Sequence, residues 1–145
     1  MQRPLSQSIL SLDIGLKRIG IAGCDSLGIT VTPLSAIERT SFDQDIKKIS
    51  LYCKNRSVKG LVVGLPLDEK GNPTKQSEIC KNYGEKVAKA LQLPIALVNE
   101  HSSTWQAGNE FNLKGDRTGK LDSASAVILL EQWLNEGPEL KPVQL

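Results

Sequence analysis

The stretch that decides the fold is Ser8-Ile-Leu-Ser-Leu-Asp-Ile-Gly-Leu-Lys-Arg-Ile-Gly-Ile-Ala-Gly-Cys24. Ile9, Leu10 and Leu12 make a compact apolar strand that ends on Asp13. Ile14 to Lys17 supplies a glycine-containing turn, and Arg18 to Cys24 returns as a second strand. Gly15 and Gly20 frame Lys17 and Arg18, so two cations sit in a hairpin where the backbone can turn tightly and approach a phosphate closely. Hairpin geometry alone explains those glycines about as well. They are not the dinucleotide fingerprint, because the segment after them reads as a strand and not as a helix.

Working outward, Ile29 to Ile37 carries Val31, Leu34 and Ile37 and reads as a third strand, with Pro33 suited to an edge or a bulge. The pattern then changes. Phe42, Ile46, Ile49 and Cys53 recur at helical spacing behind Ser41 as cap. Val58 to Leu65 is a nearly continuous apolar strand, the form expected where both sheet faces are covered. After a turn-rich loop from Pro66 to Thr74, Ile79, Tyr83, Val87 and Leu91 form a helical stripe. Leu93-Pro94 ends that helix, and Ile95 to Glu100 is the last strand. Ser103 to Phe111 reads as helical and Asn112 to Lys120 as a polar loop. Leu121 to Asn135 is a final helix with Ala124, Val127, Ile128 and Leu134 inward.

Three β-elements followed by helix, strand, helix, strand and helix define an α/β protein with one mixed five-stranded sheet and helices on both faces. The 145 residues suit a single domain over 1–145, with 1–7 and 137–145 as loose tails. Hydrophobic residues at 39% and charged residues at 23% are ordinary for a globular domain. The net charge of +2, from 18 Lys and Arg against 16 Asp and Glu, neither demands nor excludes nucleic acid. Cys24, Cys53 and Cys80 form no CxxC pair and read as reduced thiols. No apolar run is long enough to span a membrane, and no signal-peptide pattern opens the chain, so a cytoplasmic protein without membrane attachment is expected.

Sheets of this kind place ligands beyond the carboxyl ends of their strands, and Asp13 and Glu100 each end one. Asp122 opens the last helix. Taken singly, Asp13 can serve its turn, Glu100 can be solvated and Asp122 can cap its helix. Their shared topology is the better evidence, since two strand ends and a helix start can converge on one edge of the sheet. Three oxygen ligands without His or Cys select a hard cation, one or two magnesium or manganese ions. Such ions would orient water, neutralise a scissile phosphate and stabilise the leaving oxyanion.

Several residues near that edge are candidate phosphate contacts. They are Lys17 and Arg18 in the hairpin, His101 beside Glu100, and Lys114 and Arg117, with Lys120, in the loop before Asp122. His101 has no partners that would make a nucleophilic triad, and loop charge is by default solvated. Gly64-Leu-Pro66 would pass close to the same edge, though a strand-ending turn accounts for it equally. Trp105 and Trp133 at helical positions suit core or dimer contacts better than base stacking.

From about Ile9 to Leu134 the chain resembles the YqgF-type family, also called pre-16S ribosomal RNA nucleases or Holliday junction resolvase-like proteins. The residues that carry the resemblance are Leu12-Asp-Ile-Gly-Leu-Lys-Arg-Ile-Gly-Ile-Ala22, then Val62-Val-Gly-Leu-Pro-Leu67 with Gly71, then Leu121-Asp-Ser-Ala-Ser-Ala-Val-Ile-Leu-Leu130. The resemblance implies a ribonuclease-H-like fold and a metal-dependent nuclease whose acids match Asp13, Glu100 and Asp122, with Asp13 bridging the metals. It also implies a role in maturing the small-subunit ribosomal RNA precursor, with the ribosomal particle as a partner. A four-way DNA junction is the alternative substrate, and a homodimer would suit its symmetry. The family pattern at the fifth strand is usually Asp-Glu-Arg, whereas this chain has Asn99-Glu100-His101. That departure keeps the acid and replaces a permanent cation with a group mostly neutral near pH 7, which bears on substrate grip. Two further readings stay open, a non-catalytic RNA-binding assembly factor and a nucleotide binder of the actin and sugar-kinase type. The latter normally needs two such domains.

Overall fold

The computed structural model describes residues 7–100 and 120–143. The first strand β1 (Ser8–Ile14), β2 (Arg18–Cys24) and β3 (Val31–Glu38) form an antiparallel meander. They are followed by α1 (Phe42–Arg56), β4 (Val58–Pro66), α2 (Lys75–Leu91), β5 (Ile95–Glu100) and α3 (Lys120–Glu136). The sheet order is β3-β2-β1-β4-β5, with β4 parallel to β1 and β5 parallel to β4. This is the mixed five-stranded sheet expected from the sequence. Pro33 lies on the edge strand, and the β2–β3 register shifts between Ile19 and Ile21.

Strand alternation divides the core in two. On one face Leu10, Leu12, Ile14, Leu61 and Val63 pack with Ile49 of α1 and Val87 and Ala88 of α2. On the other Ile9, Ala22, Val62, Ala96 and Val98 pack with Ala126, Leu129, Leu130 and Trp133 of α3. β4 is therefore covered on both faces, which explains its unbroken apolar run.

Helix limits follow local chemistry. Ser41 Oγ accepts the Gln44 N–H at 3.2 Å and caps α1. Thr74 and Ser77 form a reciprocal capping box at the start of α2. Tyr83, Val87 and Leu91 of the expected α2 stripe pack on the core, and its first member departs. Ile79 is exposed, while Cys80 and Gly84 turn inward with Val87. The reason is that Val63 fills the space, since a β-carbon at Gly84 would lie 2.9 Å from both Val63 methyl carbons. In the last helix Ala124 and Val127 are buried as expected, Ala126, Leu129, Leu130 and Trp133 are buried with them, and Ile128 and Leu134 are only partly so. Trp133 is a core residue, whereas Trp105 and the helix expected over 103–111 lie outside the described residues.

The segment after α3, expected as a loose tail, is docked. Lys141 and Ile95 exchange backbone hydrogen bonds at 2.8 and 2.9 Å, adding a rung to the edge of β5. Leu140 lies over Gly60, Trp133 Nε1 donates to the Pro138 carbonyl, and Val143 packs against the core. Edge pairing and apolar contact hold a proline-containing tail that has no helix or strand pattern of its own.

The start of α3 is clamped by two serines. Ser11 Oγ donates to the Ala126 carbonyl at 2.7 Å. Ser123 Oγ accepts the Ile21 N–H at 3.0 Å and donates to the Leu34 carbonyl, bridging β2 and β3 where their register shifts. Ser123→Ala would leave two main-chain groups beside a fully buried Ile21 without this partner. The expected cost is about 1–3 kcal/mol of stability, read as a lowered urea midpoint at unchanged m-value.

Candidate active site

Asp13 and Glu100 lie on the same face at the carboxyl ends of β1 and β5, the parallel strands on either side of β4. In β1, Ile9 packs on the α3 face and Ser11 bonds to α3, so alternation sends Asp13 to that face. In β5, Ala96 and Val98 face α3, and Glu100 follows with the same parity. β4 runs between them, where Leu12 aligns with Val63 and Gly64 aligns with Val98. Gly64 thus lies one step beyond the Leu12 rung, level with Asp13.

The Glu100 side chain folds back across this glycine. A β-carbon at Gly64 would overlap Glu100 Oε2 and stand 2.9 Å from its Cδ, with Leu129 Cδ2 at 3.1 Å. Glu100 is only 6% exposed, whereas Asp13 is half-buried. A carboxylate that deep requires cations or donors around it, because burial disfavours an ionised oxygen. The two acids also register in a shared neighbour. Cys80 Sγ donates to the Ile14 carbonyl at 3.4 Å, and its thiol is pushed up to about 11 by burial, with the charges of Asp13 and Glu100 adding to the shift. At pH 8 about 0.1% of such a thiol is ionised. Iodoacetamide at that pH should leave Cys80 unmodified in the folded protein and label it on unfolding, as mass spectrometry would show; native-state labelling at the rate of a free thiol would contradict this environment.

Asp122 is the third residue of α3, within the helix's first turn and not its cap. Its neighbour Ser123 is fixed to Ile21, the register partner of Leu12 in β1. The backbone of the third acid is therefore anchored over β2, one rung short of Asp13, while its side chain lies outside what the structure describes. Among the described residues no three His, Cys, Asp or Glu side chains are gathered as a metal site.

Lys17 and Arg18 are exposed in the hairpin immediately after β1. Arg18 forms an ion pair with Glu38 at 3.8 Å, with both side chains more than half exposed, so a phosphate can compete for it at small cost. His101, Lys114 and Arg117 lie outside the described residues. Gly64 passes close to this edge, as its place in the sequence suggests, and its contact with Glu100 is what the cross-strand geometry adds. One feature has no sequence signal. Arg39, in the link from β3 to α1, carries no motif, yet its guanidinium reaches the Gly15 carbonyl at 2.6 Å.

This architecture, with acids at the ends of β1 and β5 and a helix returning over them, is that of the ribonuclease-H-like nucleases. Residues 7–136 match the family model described as RuvX: Holliday junction resolvase, and the chain belongs to that family. It is 64% identical over 142 residues to the Synechococcus sp. (strain CC9605) protein named "Putative pre-16S rRNA nuclease", covering 98% of this chain and 90% of that one. A Prochlorococcus marinus (strain MIT 9313) protein of the same name is 59% identical over 143 residues, covering 99% and 89%. Among solved structures, RuvC of T. thermophilus in complex with a Holliday junction substrate superposes with a TM-score of 0.56 at 12% identity, over 94% of this chain and 99% of that chain. That likeness establishes the fold.

Proposed function

We propose that this protein is a metal-dependent nuclease that hydrolyses phosphodiester bonds at the corner formed by Asp13 and Glu100, acting on precursor small-subunit ribosomal RNA in the cytoplasm. The observation that carries the reading is the Glu100 carboxylate laid across Gly64 toward β1, on the face that also presents Asp13. Two carboxylates on the parallel strands that flank β4 make an oxygen-only donor set, which fits magnesium or manganese and not a soft metal. Asp122, at the start of the helix that returns over this face, completes the set in this reading.

Bound there, one or two such ions would supply Lewis-acid neutralisation of the scissile phosphate and ease deprotonation of water. The chain's own residues do the rest. Asp13 and Glu100 fix where positive charge collects, and the shielding of Glu100 strengthens that electrostatic hold. Lys17 and Arg18 grip phosphates next to the acids, with His101, Lys114 and Arg117 as further contacts from the connection between β5 and α3. The names of the relatives in Synechococcus and Prochlorococcus favour the RNA substrate, while the family model's description favours a DNA junction. Among the described residues no helix is long and apolar enough to cross a membrane, and the ribosomal particle is the natural partner of an enzyme with this substrate.

The test incubates purified protein with precursor small-subunit RNA, unrelated single-stranded RNA and a synthetic four-way DNA junction. Each is assayed in magnesium, in manganese and in chelator. Metal-dependent cutting of the precursor RNA is the expected result. Cutting confined to the junction would transfer the assignment to DNA, where light scattering should then reveal a dimer. Tight RNA binding with no cleavage in either metal would replace the nuclease with an assembly factor.

A further inference from the structure

The β1–β2 hairpin tip has little packing of its own. Leu16 is 80% exposed, and Lys17 and Arg18 are exposed beside it. Within the turn, the Gly15 N–H donates to the Arg18 carbonyl at 2.8 Å. Both sides of the turn are also tied to a single residue elsewhere in the chain. The Arg39 N–H donates to the Lys17 carbonyl at 2.8 Å, and Arg39 Nη1 donates to the Gly15 carbonyl at 2.6 Å.

The guanidinium is itself held from behind. It lies over the Tyr83 ring at 4.6 Å. That ring meets Phe42 edge to face, with centroids 5.7 Å apart. Tyr83 donates its hydroxyl to Asp45 Oδ2 at 2.8 Å, and Asp45 Oδ1 accepts the Thr40 N–H at 3.1 Å. Asp45 is only 2% exposed, so this support belongs to the packed interior between α1 and α2.

From this we infer that Arg39 is a positioning residue for substrate binding, holding the hairpin so that Lys17 and Arg18 meet the nucleic-acid backbone together. The inference rests on the nuclease reading of the site, because it assigns those two cations to phosphate. Asp13 lies inside the β1 ladder, paired with Gly20, so loosening the tip should not move it. Arg39 therefore affects binding and leaves the chemical step alone. A guanidinium is suited to this, since its planar face stacks on the ring while its edge donates to the carbonyl.

The experiment is a double-mutant cycle read by RNA affinity in chelator and by KM and kcat in manganese. Arg39→Met should weaken RNA binding and raise KM about tenfold while kcat stays within about twofold. In a Lys17→Ala, Arg18→Ala background the same change should have almost no further effect, because the residues through which Arg39 acts are gone. An undiminished effect in that background would overturn the inference and make Arg39 a direct phosphate contact. Equal losses in kcat and kcat/KM would also overturn it, in favour of general distortion. Should Arg39→Met fail to fold, Arg39→Lys carries the same cycle with the charge retained. If the unaltered protein neither binds nor cuts nucleic acid, the nuclease reading fails. If it does both and Arg39→Met and Arg39→Lys match it, only the role of Arg39 fails.

Discussion

Asp13→Asn should abolish metal-dependent cleavage while leaving the protein folded and able to hold RNA. Asparagine has nearly the shape of aspartate, and residue 13 is fixed by strand pairing with Gly20, so β1 should be undisturbed. What is lost is one full negative charge from an oxygen donor set in which each carboxylate raises affinity for a hard cation. Lewis-acid stabilisation by such a cation is worth several kcal/mol, and about 4 kcal/mol corresponds to roughly a thousandfold in rate. Single-turnover cleavage in manganese should therefore fall by about three orders of magnitude. In chelator the sign reverses. Without a cation, Asp13 repels the phosphodiester, so Asp13→Asn should bind RNA as tightly as the unaltered protein or more tightly. Cleavage that survives the substitution would remove Asp13 from the site, and a parallel fall in thermal stability would assign the residue to folding instead.

Much of this corner was legible in the sequence because strand parity is strict. Ile9, Ser11 and Asp13 share one face of β1, and Ala96, Val98 and Glu100 share one face of β5, so two apolar patterns ending on acids already imply a common face. The order of elements supplied the rest, since a meander followed by helical crossovers leaves few topologies for five strands. Ser41 as a cap and the unbroken apolar run of β4 were equally readable, because each follows from local chemistry or from burial of both faces.

Features that depend on a distant partner were not readable. Tyr83, Val87 and Leu91 follow the helical stripe, but Ile79 does not, because Gly84, which has no hydrophobic side chain to count, is the residue that lets α2 settle on Val63. The docked tail has no sequence signal because its pairing with Ile95 is a single backbone rung, independent of side-chain pattern. Arg39 lacks any sequence signal for the same reason, since both of its hairpin contacts are to main-chain carbonyls. Of the residues flanking the middle acid, Asn99 lies within the described structure and His101 outside it. Asn99 accepts from Gln132 through its main-chain carbonyl at 3.5 Å, a contact that would survive the aspartate usual in the family.

Gly64→Ala should separate activity from stability in the opposite way to Gly84→Ala. At Gly64 the new methyl group overlaps Glu100 Oε2 and crowds Cδ, both at the far end of a flexible side chain, while the nearest apolar carbon, on Leu129, is 3.1 Å away. The carboxylate is the part that can yield, so it should swing out of its cradle and away from Asp13. Displacing a ligating group by about 1 Å costs on the order of a hundredfold in rate, and altered support of a ligand costs about 10–100-fold in metal affinity or activity. Stability should change by less than about 1 kcal/mol, because alanine in a strand recovers backbone entropy that glycine loses. At Gly84 the methyl group instead meets two Val63 carbons at 2.9 Å, packed between helix and sheet, where overpacking costs about 1–3 kcal/mol. Gly84→Ala should therefore lower the urea midpoint yet retain kcat and manganese affinity below the unfolding transition. Gly64→Ala should keep its midpoint and lose both. If the two substitutions give the same profile, the carboxylate laid across Gly64 is not what makes this corner chemically competent.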